Sequence, residues 1–92
     1  MKKNELIDQI SENTGIAKAS VKAVLESMLE EITLCLARGD KVQLTGFGVF
    51  GTRSRAGRTG RNPRTGEPME IAAAVIPVFK AGKELRARVQ KS

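Results

Sequence analysis

A chain of 92 residues is long enough for one cored domain and too short for two. Its 40% hydrophobic and 28% charged residues are those of a folded protein rather than a disordered one. With three Phe and neither Trp nor Tyr, an aliphatic core is thin for a monomer, so a partner subunit is expected. The net charge of +6 and a pI near 10.0 favour a polyanionic partner. The absence of His and the single Cys35 rule out a Cys/His zinc site and an intramolecular disulfide framework. They also leave acid–base and nucleophilic chemistry almost without residues, so no enzyme, catalytic residue, metal or cofactor is expected.

Chain order begins with a short helix over 4–13, where Leu6, Ile7 and Ile10 recur at helical spacing and Gly15 is placed to stop it. A long amphipathic helix follows, its stripe of Val21, Val24, Leu25, Met28, Leu29, Ile32, Cys35 and Leu36 ending at Gly39-Asp40. Such a stripe is read as core, and Cys35 on it as a small buried hydrophobe rather than a nucleophile. Lys41 to Thr45 then alternates with period two, Gly46-Phe47-Gly48 turns, and Val49 to Arg53 resumes extended structure, which makes a hairpin. Strand character returns at Met69-Glu70-Ile71 and at 75–79, with Pro77 tolerable only at an edge or bulge. A closing helix is expected over about 83–90. No charged leader with an apolar run and no apolar stretch long enough to span a membrane is visible, so an intracellular, cytoplasmic protein is expected.

Charge separates the two halves of the chain. Residues 1–40 hold five basic and seven acidic side chains, and residues 41–92 hold eleven basic and three acidic. No Asp or Glu occurs between Lys41 and Gly66, whereas Arg53, Arg55, Arg58, Arg61 and Arg64 recur there. From Arg55 to Arg61 nothing apolar is available to pack on a core, and 62–66 is turn chemistry, so this part of the chain must leave the globule as an arm. A basic run without compensating acids suits phosphate binding, because guanidinium groups donate paired hydrogen bonds to phosphate and fit a narrow, electronegative minor groove. A proline at the end of such an arm is either a simple turn former or a rigid apolar wedge between base pairs.

Gly46-Phe47-Gly48-Val49-Phe50, then 57–66 reading GRTGRNPRTG, then 79–83 reading FKAGK, resemble the bacterial HU and integration host factor family across essentially the whole chain. The resemblance implies an α+β fold with two N-terminal helices, a three-stranded antiparallel sheet extended into a β-ribbon arm, and a short C-terminal helix, assembled as an intertwined dimer. It implies one DNA-binding domain over 1–92, with a helical base to residue 40, a β-saddle over 41–82 whose arm covers about 53–75, and a closing helix over 83–92. It further implies that Pro63 intercalates, that Arg58, Arg61, Asn62, Arg64 and Thr65 line the groove near it, and that Arg53 and Arg55 sit at the arm's base. Gly46, Lys3, Lys80, Lys83 and Arg86 match positions that contact the DNA backbone from the body, although Lys3, Lys83 and Arg86 are equally readable as solvated surface. Two positions depart from the family pattern: Ala17 at the start of the long helix, where Ser or Thr is common, and Val75, where many members carry a polar or basic residue.

The implied function is an architectural protein of the nucleoid that binds double-stranded DNA with little sequence specificity and bends it. Homodimerisation is expected, with a heterodimer alongside a paralogue as the alternative. A sequence-specific, integration-host-factor-like bender is the nearer rival, and an RNA-binding protein a more distant one, because positive charge alone does not choose the nucleic acid. No recognition helix rich in Asn, Gln and Arg is visible, and minor-groove readout is degenerate.

Overall fold

The computed structural model describes residues 1–90; the last two residues expected in the closing helix, 91 and 92, lie outside the described residues. The chain divides into two compact units, Met1–Leu34 and Cys35 onward.

In the first unit, helix α1 covers Lys3–Thr14 and ends where Gly15 turns left-handed, with φ of 74°. The Gly15 N–H donates to the Ser11 carbonyl at 2.9 Å, closing the last turn as a glycine stop should. Helix α2 covers Lys18–Ala37. The Ala17 carbonyl accepts the Val21 N–H at 3.0 Å, so Ala17 does sit at the helix entrance, with no side-chain oxygen to cap it. Ile7 and Val21 are the only buried hydrophobic residues among those described. Surface ion pairs join Lys18 to Asp8 at 3.3 Å and Lys3 to Glu26 at 3.8 Å.

In the second unit, the end of α2 is a double carbonyl cap. The Gly39 N–H donates to Leu36 and the Asp40 N–H to Cys35, both at 3.0 Å, with Gly39 at φ of 83°. Cys35 is half-buried rather than buried as expected, and its thiol donates to the Lys41 carbonyl at 3.4 Å on the chain's way into the sheet. Strands β1 (Val42–Leu44), β2 (Gly48–Arg55) and β5 (Ala74–Ala81) form an antiparallel sheet in the order β1-β2-β5. Pro77 therefore falls on an edge strand, where its missing N–H interrupts no second ladder. Beyond this sheet, β3 (Arg58–Arg61) and β4 (Pro68–Ile71) pair as a separate two-stranded ribbon, and helix α3 covers Lys83–Gln90.

The three-stranded sheet has two chemically distinct faces, because side chains alternate and the register is regular. One face carries Val42, Leu44, Phe50 and Phe79; the Phe50 and Phe79 rings lie 4.7 Å apart, and Phe47 stands 5.5 Å from Phe79. This approach requires Gly48, since a Cβ there would lie 2.6 Å from both the Phe79 ring and the Lys80 carbonyl oxygen.

Candidate nucleic-acid interface

The other face of the sheet collects cations. Arg53 and Arg55 are two apart in β2 and so project together, and the ladder places Lys80 of β5 on the same side, opposite Val49. Lys41 joins them: its Cγ lies 3.7 Å from where a Gly51 Cβ would be, so its stem covers the glycine on this face. Sequence reading left Lys41 out of the candidate residues, though its even spacing from Gln43 in an alternating strand was the available signal. Val75 pairs with Ser54 and falls on the opposite face from Arg53 and Arg55, so its apolar side chain removes nothing from the basic surface.

Both ladders lapse together at 56–57 and 72–73, where the body sheet gives way to the ribbon. Within the ribbon, Arg58 pairs with Ile71 and Arg61 with Pro68. Three residues apart in a strand, Arg58 and Arg61 point to opposite faces. The two arginines are therefore divided between the faces of the ribbon, and Glu70, opposite Thr59, shares the face of Arg61.

The tip is a turn tied by its own polar groups. The Asn62 N–H donates to the Glu67 carbonyl at 2.9 Å and the Gly66 N–H to the Asn62 carbonyl at 2.7 Å. The Asn62 Oδ1 accepts the Arg64 N–H at 2.8 Å, arching the chain over Pro63, and the Thr65 hydroxyl accepts the Glu67 N–H at 3.3 Å. The Arg61 guanidinium reaches the Gly66 carbonyl at 3.0 Å. Asn62, Thr65 and Arg61 thus hold the turn, and Pro63 and Arg64 are left exposed at its apex.

The remaining candidates lie away from the arm. Gly46 occupies the β1–β2 turn at φ of 85°, and a Cβ there would lie 2.8 Å from a carboxylate oxygen of Glu84. That geometry requires glycine whatever the position contacts. Lys83 and Arg86 share one face of α3 with Gln90, lining a shallow recess of about 200 Å³. Lys3 belongs to the helical unit, at the start of α1 and ion-paired with Glu26. Among the described residues no cluster of His, Cys, Asp and Glu is arranged to hold a metal, and no helix is long and apolar enough to cross a membrane.

Comparison with known proteins agrees with this geometry. The model of the family described as "Bacterial DNA-binding protein" matches residues 1–90. The chain is 51% identical to DNA-binding protein HU-alpha of Vibrio proteolyticus, over 98% of this chain and 100% of that one. It is 52% identical to HU-beta of Pseudomonas aeruginosa, over 94% and 96% respectively. Among solved structures, a cocrystal of Anabaena HU with DNA is 46% identical, covers 100% of both chains and superposes with a TM-score of 0.91. HU from Thermotoga maritima is 36% identical, with a TM-score of 0.70 over 98% of this chain and 100% of that one. On sequence along its whole described length, and on a fold shared with an HU protein held on DNA, the chain belongs to the bacterial DNA-binding protein family of HU.

Proposed function

We propose that this chain works as a homodimer that binds duplex DNA with little sequence specificity, bends it through the minor groove and helps compact the nucleoid. The observation that carries the reading is the arm, a two-stranded ribbon with Arg58 and Arg61 on opposite faces, Pro63 exposed at its apex, and no acid from Lys41 to Gly66. A ribbon in a groove meets two phosphate-lined walls, and arginines on both faces serve both. The exposed ring of Pro63 suits insertion at a base step. Unstacking costs about a few kcal/mol, offset by the wider wrapping that a bend permits, as is known for minor-groove architectural proteins, HU and integration host factor among them. Arg53, Arg55 and Lys80 would hold the backbone at the arm's base, with Lys83 and Arg86 on α3 and Lys3 on α1 as outer phosphate contacts. Arg64 would meet phosphate beside the wedge, and the Gly46 turn would present backbone amides.

Dimerisation follows from what a single chain leaves uncovered. Val24 is 69% exposed, and Met28, Leu29, Phe47 and Phe79 are each between 43% and 45% exposed. Ile10, Ile16, Val21, Val24, Leu25 and Met28 line an apolar groove of about 190 Å³. Apolar surface on this scale, with Ile7 and Val21 the buried hydrophobic residues among those described, supports a second copy as its cover.

Ring closure of a short linear duplex tests the reading. The protein should accelerate closure, and Pro63→Ala should lose most of the acceleration while its thermal unfolding stays unchanged. Undiminished closure by that variant would remove the wedge.

A further inference from the structure

The basic half of the chain carries three acids, and one of them lies outside the arm. Glu67 and Glu70 belong to the arm, whereas Glu84 stands in the first turn of α3. Its place is fixed by the way α3 begins. The Gly82 N–H donates to the Phe47 carbonyl at 2.8 Å, and a Cβ on Gly82 would lie 3.0 Å from that carbonyl oxygen, so the helix starts hard against the β1–β2 turn. One Glu84 carboxylate oxygen then fills the space that a side chain on Gly46 would take, 2.8 Å from the Cβ position. The partial positive charge at the start of a helix favours a carboxylate there. No ion pair among the described residues neutralises it, since those found join Lys3 to Glu26, Lys18 to Asp8 and Arg38 to Asp40.

The Gly46 turn is also where the duplex-binding reading above seats a phosphate, with Lys83, the residue before Glu84, and Arg86 as further contacts. A carboxylate and a phosphate are both anions drawn to the same exposed turn and helix start, and they cannot occupy it together. We propose that Glu84 is an internal competitor of DNA phosphate at the Gly46 turn and so lowers the affinity of the body of the protein for the duplex. The proposal rests on that duplex-binding reading. Glu84 is exposed, so its side chain is free to swing aside into water when DNA closes on the turn, but it stays beside the incoming phosphate as a like charge. The grip of the body is weakened, and the arginines of the arm are left as they are.

Affinity for one DNA duplex at one fixed salt concentration tests this with three variants of the full chain. Glu84→Gln keeps the length of the side chain and removes its charge. Glu84→Asp keeps the charge and draws it back from Gly46 by one methylene. Glu31→Gln removes the same charge from the exposed surface of α2. Glu84→Gln should tighten binding roughly fivefold or more, the repulsion between two unit charges about 4 Å apart in bulk water. Glu84→Asp should tighten it by about twofold or more, and Glu31→Gln should change it by less than about twofold, because exposed charges farther apart are screened. No tightening by Glu84→Gln, equal tightening by Glu84→Gln and Glu31→Gln, or a Glu84→Asp that binds no tighter than the unaltered chain would overturn the proposal. If Glu84→Gln loses its fold through the missing charge at the helix start, Glu84→Asp, which keeps that charge, decides the matter. Failure of the unaltered chain to bind the duplex would instead overturn the duplex-binding reading, and this proposal with it.

Discussion

Asn62 ties the turn at the tip of the arm: its Oδ1 accepts the Arg64 N–H and arches the chain over Pro63. Under the proposed function, that tie holds Pro63 at the apex. Asn62→Ala should therefore reduce DNA bending, measured by energy transfer between duplex ends, while changing thermal stability little, because the turn is exposed. Bending equal to that of the unaltered protein would show that the turn needs no such tie. Gly48 lies at the other extreme. A Cβ there meets the Lys80 carbonyl oxygen and the Phe79 ring at 2.6 Å, and neither can retreat without opening the β2–β5 ladder. Gly48→Ala should cost about 2–3 kcal/mol by denaturant midpoint, the upper part of the range for overpacking. A loss under about 0.5 kcal/mol, typical of surface changes, would contradict the placement of Phe79.

The secondary structure elements were largely legible in the sequence, and the reasons differ from one to another. Gly15 and Gly39 mark the ends of α1 and α2 because their left-handed conformation supplies the carbonyl caps. The period of two from Lys41 to Thr45 marks the hairpin, and Pro77 correctly implies an edge strand. The candidate site was legible in charge but not in direction. The recurring arginines were visible, whereas the division of Arg58 and Arg61 between two faces depends on 58–61 being a strand, which charge patterning does not contain. Lys41 was missed because it precedes the arm in sequence yet shares a sheet face with Arg53 and Arg55. Expecting Cys35 to be buried failed because the helical stripe predicts which residues face inward, not whether a single chain covers them. Ala17→Ser supplies the missing cap oxygen at the entrance to α2 and should raise stability by about 0.5–1 kcal/mol in urea unfolding; a decrease would place the cap elsewhere. Arg58→Ala should lower the slope of log affinity against log salt by ~0.9, the value of one phosphate contact, and an unchanged slope would mean that Arg58 meets no phosphate.

At the scale of the molecule, the chain combines a helical unit in which Ile7 and Val21 are the buried hydrophobic residues among those described with a sheet whose basic face continues into an arginine-bearing arm. If the proposed homodimer covers the exposed aliphatic and aromatic side chains, the unfolding temperature should rise with protein concentration. A concentration-independent midpoint would contradict the dimer. The basic surface makes affinity electrostatic and tolerant of sequence, which follows from five arginines in an acid-free stretch. Affinity for several unrelated duplexes across a range of salt concentrations is the decisive measurement. Log affinity should fall steeply with log salt, and affinities should agree within about tenfold among sequences. A nearly flat salt dependence, or a preference for one sequence above ~10³, the lower end of site-specific binding, would contradict the proposed function.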